Sequence, residues 1–375
     1  MAKREPKEVS NPRGPVALAI RNPDLQKDRI FELVSDGPVD QAPYTPWRRV
    51  RQLAAEHGIT LVTADRVSQL ALDPRSVTVL AYDWPPAAQA LVAAGARPGV
   101  LTSLEPPVIA WELYYRLPKL SAGFPIAFLF GGAAERIAPG CTFRQLLFPQ
   151  VRQVGEVAWP DWSQRRFLVS IVANKAVVRS FTRWFDQPRE VSVKRELASR
   201  RYPPLASDLY VERLRAIAHF AGRTGFDTFG QGWERRHPAA PARLHAAFLR
   251  SYQGPAPLKL ATLAQYRFAL CLENSIFPGY ISEKIFDCFF AGTVPLYLGA
   301  PDVHKYIPAD AFVDLRQFRN YSALEQFLDS LEEARVRRYV DAATDFLNSP
   351  AFTKFSHERF ASDMVEALRS LPELA

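Results

Sequence analysis

Short apolar runs alternate with stretches of helical spacing along most of this chain, and few folds accept that alternation. Residues 29–35 (RIFELVS), 59–63, 77–82, 100–104 and 126–130 read as strands, and residues 47–56 and 87–94 as helices. Trp47, Val50, Leu53 and Ala54 share one face of the first helix. The pattern breaks around residues 150–164, where Trp159-Pro160-Asp161-Trp162 reads as a linker. It resumes with strands at 167–173, 226–229, 268–272 and 294–298, and helices at 209–220, 282–290, 322–331, 336–347 and 360–371. Alternating β and α segments predict a doubly wound, mostly parallel sheet. A chain of 375 residues exceeds one ordinary core, so two such α/β domains are expected, Rossmann-like and facing a cleft. The expected boundaries are a tail over 1–28, domains over 29–157 and 158–350, and a helical extension over 351–375. Residues 37–46 and 106–124 read as loops.

Composition narrows the function. The net charge of +8 suits an anionic partner, such as a phosphorylated ligand or an acidic membrane surface. The excess concentrates in residues 179–201, where Arg179, Arg183, Arg189, Lys194, Arg195, Arg200 and Arg201 form a solvated face or a docking patch. Aromatic residues do not interleave that run in a nucleic-acid-binding pattern, so no nucleic-acid partner is expected. The 3 cysteines carry no disulfide or zinc spacing, and a reducing compartment fits them. With no signal-peptide pattern and no long apolar run, the expectation is a cytoplasmic protein with peripheral contact at the inner membrane.

Residues 267–299, RFALCLENSIFPGYISEKIFDCFFAGTVPLYLG, carry the functional argument. The order is strand, polar loop, helix, glycine, strand. Glu273-Asn274-Ser275 follows the strand directly, at a carboxyl edge, where open parallel sheets bind ligands. Ser282 is placed to cap the helix, its hydroxyl taking a free backbone N–H. Glu283 and Lys284 fall in the first turn, where the helix dipole favours an anion. A lysine there opposes the dipole, and makes sense if it meets a phosphate. The alternative is an ordinary βαβ unit.

This stretch resembles the donor-binding signature of the α-1,3/α-1,4-fucosyltransferase family, glycosyltransferase family 10. The blocks CLENS, GYISEK and AGTVPLYLGAP stand in the family's order and spacing, and residues 307–313 continue the match. Leu272 replaces a phenylalanine common there. Upstream, residues 212–217 resemble the family's basic helix, with Arg213 and Arg215 competing for one role, and Phe226 to Gly230 its following strand. Residues 167–174 resemble the strand that opens the donor domain. In the first domain the resemblance thins to LTSLEPP, residues 101–107, where Glu105 occupies the family's short acidic segment.

The resemblance implies a GT-B type enzyme of the bacterial, cytoplasmic kind, whose first domain binds the acceptor and whose second binds the nucleotide sugar. The implied reaction is inverting transfer of fucose from GDP-fucose to O3 or O4 of an N-acetylglucosamine or related residue of a glycan or glycolipid. Glu105 would be the catalytic base; Arg213 and Lys284 would meet the diphosphate. Glu283, Asn274, Tyr280, Ser282 and Asn174 would complete the donor site, Tyr280 alternatively being core. No Asp-x-Asp occurs and the histidines lack ligand spacing, so no cofactor and no essential divalent metal are expected. Another donor such as GDP-mannose, or an inactive sugar-nucleotide-binding homologue, stays open.

Overall fold

The structure, a computed structural model, describes residues 14–32, 44–153, 155, 158–174, 196–233 and 241–371. The chain forms two compact units. One takes in the chain up to Leu104, Glu112–Val151 and Phe355–Ala375; the other takes in Glu105–Trp111 and Arg152–Lys354.

The N-terminal unit is built on a parallel sheet of strands β1 (Val16–Ala19), β2 (Leu61–Thr63), β3 (Thr78–Tyr82), β4 (Arg97–Thr102), β5 (Ile126–Leu129) and β6 (Thr142–Gln145), in the order β2-β1-β3-β4-β5-β6. Residues of β1, β2, β3 and β5 are buried throughout, as expected when helices cover both faces of a parallel sheet. Helices α1 (Pro46–Glu56), α2 (Pro86–Ala93) and α3 (Trp111–Ser121) connect the strands.

Three expectations fail here. The described part of residues 1–28 is not a tail: Val16–Ala19 is an inner strand, although only five apolar residues stand together there. Residues 29–35 are not a strand over their described part. Arg29–Phe31 is a single 3-10 turn that buries Ile30 and Phe31. The chain turns because Asp28, at φ 63, bends left-handed while its carboxylate accepts from the Thr63 amide at 2.8 Å. The segment 106–124 is not a loop, since α3 forms with Pro118 inside it and buries Leu113, Tyr114 and Leu117 at helical spacing.

The chain's closing helix, His357–Arg369, is not a separate extension. It belongs to the N-terminal unit, where Phe360 meets Trp47 edge-on at 5.4 Å and Phe128 at 6.0 Å. Phe360, Ala361, Met364, Val365 and Leu368 are its buried stripe. Periodicity reveals that stripe; its partner lies over 300 residues away in sequence, beyond what spacing encodes.

The C-terminal unit holds a second parallel sheet: β7 (Arg166–Ile171), β8 (Phe226–Phe229), β9 (Tyr266–Leu272), β10 (Val294–Leu298) and β11 (Val313–Asp314), in the order β11-β10-β9-β7-β8. Its helices are α4 (Tyr210–Phe220), α5 (Ala242–Ser251), α6 (Lys259–Ala264), α7 (Glu283–Phe290), α8 (Tyr321–Asp329) and α9 (Glu333–Leu347). Phe286 and Phe289 of α7 pack on Phe346, and Phe286 also on Phe352 at 5.8 Å. The linker Trp159 lies on Gly292, where a Cβ would come 2.5 Å from its ring, so only glycine fits after α7. Counting strands within each unit, the N-terminal sheet runs 2-1-3-4-5-6 and the C-terminal sheet 2-1-3-4-5, each with a topological switch between the first and third strands. Ligands of such sheets bind beyond the carboxyl ends at that switch.

No helix among the described residues is long and apolar enough to cross a membrane. Residues 175–195, which hold most of the basic run, and residues 37–43 of the first expected loop lie outside the described residues.

Candidate active site

In the C-terminal unit the switch lies between β7 and β9, and the signature residues gather there. Glu273 is the first residue past β9 and is fully buried. Its carboxylate accepts from the Ser282 amide and the Ser282 hydroxyl, each at 2.7 Å, and from the Lys284 ammonium at 3.2 Å. Gly299 makes room for this carboxylate: a Cβ there would sit 2.4 Å from the Glu273 Cγ.

This arrangement corrects two expectations. Ser282 stands at the N-cap position of α7 with extended backbone, but its hydroxyl makes no capping bond. It donates to Glu273 and accepts from Lys284 at 2.9 Å. Lys284, in turn, already has carboxylates of the protein as partners. It is shared between Glu273 and Glu283, the latter at 3.6 Å. The anion drawn to the start of α7 is the protein's own carboxylate, as the dipole and free amides favour. Sequence reasoning placed Glu273 at the edge without giving it a role, although it adjoins Asn274 in the same motif.

Arg213 and Arg215 have different surroundings. Two positions along a helix differ by about 200° in azimuth, so only one arginine can face inward. Arg213 donates to the Leu272 carbonyl at 3.2 Å and to the Asn274 Oδ1 at 2.9 Å. Arg215 is exposed and pairs with Glu212 at 3.0 Å. The buried stripe of α4, Tyr210, Leu214 and Ile217, flanks Arg213 and was a usable signal. Asn274 also donates to the Tyr280 hydroxyl at 3.2 Å. Tyr280 therefore has both expected characters: its ring is buried, and its hydroxyl belongs to the site.

Asn174 follows β7 on the other side of the switch. Its Oδ1 accepts from the Tyr210 hydroxyl at 2.8 Å, and its Nδ2 donates to the Gly232 carbonyl at 2.7 Å. Tyr210, stacked near Trp233 at 6.2 Å, links Asn174 to the Arg213 side of the site and carried no sequence signal. Lys259 of α6 was also missed. It pairs with Asp287 and reaches Glu283 at 4.0 Å, bracing the first turn of α7 from behind.

The electrostatics follow from this packing. Burial lowers the pKa of Arg213, against the pull of Glu273. Burial also opposes the charge of Lys284, yet Glu273 and Glu283 outweigh it and hold the ammonium above its ordinary value. Burial works against the Glu283 carboxylate, but Lys284 and Lys259 pull it down to about 2. Burial pushes the Tyr280 phenol well up, and the charges of Glu273, Glu105 and Glu283 push it further. Glu105 itself lies in a turn that belongs to the C-terminal unit. No cluster of three metal-ligating side chains occurs among the described residues. Arg213 and Lys284 are thus the cations held beside Asn274, Tyr280 and Glu283 at this strand edge.

Two α/β units built on parallel sheets make up the fold of GT-B type glycosyltransferases. Anabaena HepE, solved with UDP and glucose, shares this fold with a TM-score of 0.54 at 10% identity, over 95% of this chain and 99% of that one. Residues 209–367 match the family model described as glycosyltransferase family 10 (fucosyltransferase) C-term. The human alpha-(1,3)-fucosyltransferase 7 is 41% identical over 104 residues, 27% of this chain and 30% of that protein. The mouse 4-galactosyl-N-acetylglucosaminide 3-alpha-L-fucosyltransferase 9 is 35% identical over 112 residues, 28% of this chain and 31% of that protein. The match thus spans about a third of each relative's length. Over residues 209–367 the chain is thus similar to the C-terminal domain of glycosyltransferase family 10.

Proposed function

We propose that the chain is an inverting fucosyltransferase that moves fucose from GDP-fucose to a hydroxyl of a saccharide, O3 or O4 of an N-acetylglucosamine or related residue. The observation that carries this reading is Arg213. A part-buried guanidinium, fixed by Leu272 and Asn274, sits at the sheet switch inside the segment that matches the family. These two cations would stabilise the charge that grows on the departing GDP, without an essential metal. Asn274, Tyr280 and Glu283 would orient ribose and fucose. Glu105 would take the acceptor proton as its oxygen attacks the anomeric carbon from the face opposite the phosphate. The net charge of +8 also supports peripheral contact with an anionic membrane face in the cytoplasm, which vesicle co-sedimentation checks.

The test is a transfer assay with GDP-fucose and N-acetyllactosamine, with GDP-mannose as comparison donor and EDTA as a further condition. The reading expects a fucosylated product and GDP release that survive chelation. Turnover of GDP-mannose with none from GDP-fucose would contradict it.

A further inference from the structure

The same topological position that holds Glu273 in the C-terminal sheet holds Asp83 in the N-terminal one. Each is the first residue beyond the third strand of its sheet, at the switch. There the likeness ends. Glu273 is fully engaged by Ser282 and Lys284, whereas the Asp83 Oδ1 is shielded from solvent and has no hydrogen-bond partner among the described residues. Asp83 also bends left-handed, at φ 62, a conformation that aspartate and asparagine tolerate better than most side chains. Its amide is tied to the Thr102 carbonyl at 2.7 Å, which fixes the residue in that form. Burial raises its pKa, against the Ser103 hydroxyl and the charge of Arg21. A shielded carboxylate oxygen without a partner calls for an explanation, and a ligand that completes it is one.

The neighbours define the ligand. Arg21 follows β1, Asp83 and Trp84 follow β3, and Ser103 follows β4, so polar groups end three adjacent strands around the switch. Arg21 is 3.7 Å from Glu112. Two carboxylates against one guanidinium repel a phosphate and suit a neutral polyol. Trp84 is partly buried, its ring held edge-on by Phe124 at 5.8 Å, beside the carboxylate. An aromatic wall with a few converging polar groups is the usual lining of a small-ligand pocket.

We propose that Asp83, with Trp84 and Arg21, forms a saccharide-binding subsite of the N-terminal unit, the carboxylate accepting hydroxyl hydrogens of the acceptor sugar. This rests on the reading of the chain as a glycosyltransferase, but it concerns the acceptor and not the donor. The test measures N-acetyllactosamine and GDP affinities separately for wild type, Asp83→Asn and Trp84→Ala, with melting temperatures. Asparagine keeps the shape and tolerates the left-handed backbone. The inference expects Asp83→Asn to lose about tenfold or more in N-acetyllactosamine affinity, to bind GDP as wild type does, and to melt at the same or a higher temperature. Trp84→Ala should lose saccharide affinity with GDP binding intact. Variants that bind N-acetyllactosamine like wild type, or a wild type that binds none, would overturn it. GDP affinity of the wild type decides the donor reading independently, so the two failures are distinguishable.

Discussion

Glu273 takes both the amide and the hydroxyl of Ser282 at 2.7 Å, so the start of α7 is closed by a buried carboxylate that also grips Lys284. Removing that charge leaves the part-buried Lys284 ammonium with Glu283 and the Ser282 hydroxyl. Glu273→Gln should lower unfolding stability by about 3 kcal/mol, measured by urea denaturation. A loss within error would mean that the carboxylate does not carry the first turn.

Glu283 gives the chain a pH dependence. Its carboxyl falls from 4.5 to about 2 in the fold, chiefly through Lys284 and Lys259 against the opposing effect of burial. A depressed folded-state value gives stability that is complete above the unfolded value and lost as pH falls through the folded one. The wild type should lose about 2 kcal/mol between roughly pH 5 and pH 2 from this group, allowing for its partial exposure. Denaturant unfolding across that range checks it, and Glu283→Gln should show a correspondingly flatter profile.

Glu105 should separate binding from chemistry. Its charge reaches the Tyr280 hydroxyl, yet no diphosphate contact is assigned to it. Glu105→Gln should keep GDP affinity and lose about 10²–10⁴-fold in transfer rate. Transfer at the wild-type rate would remove it from the mechanism.

Much of this was legible because a buried parallel strand is a short apolar run and its carboxyl edge is a place where polar residues collect. The order from β9 to β10, including α7 and Gly292, follows from residues 267–299 alone. Three things were not legible, each for a physical reason. β1 is a short run, and only its pairing with β2 and β3 makes it a strand. The closing helix shows its apolar stripe but not the distant Trp47 that receives it. At the start of α7, the dipole argument required an anion without saying whose. Glu273 answers that, and it could be found only once the strand end and the helix start were seen together.

The central claim is that Arg213, and not Arg215, meets the nucleotide diphosphate. Calorimetric titration of GDP into wild type, Arg213→Lys, Arg213→Ala and Arg215→Ala tests it most directly. The account predicts wild-type affinity for Arg215→Ala and a loss of about 10²-fold for Arg213→Ala, with Arg213→Lys between them. Equal GDP affinity in the wild type and both Arg213 variants would contradict it.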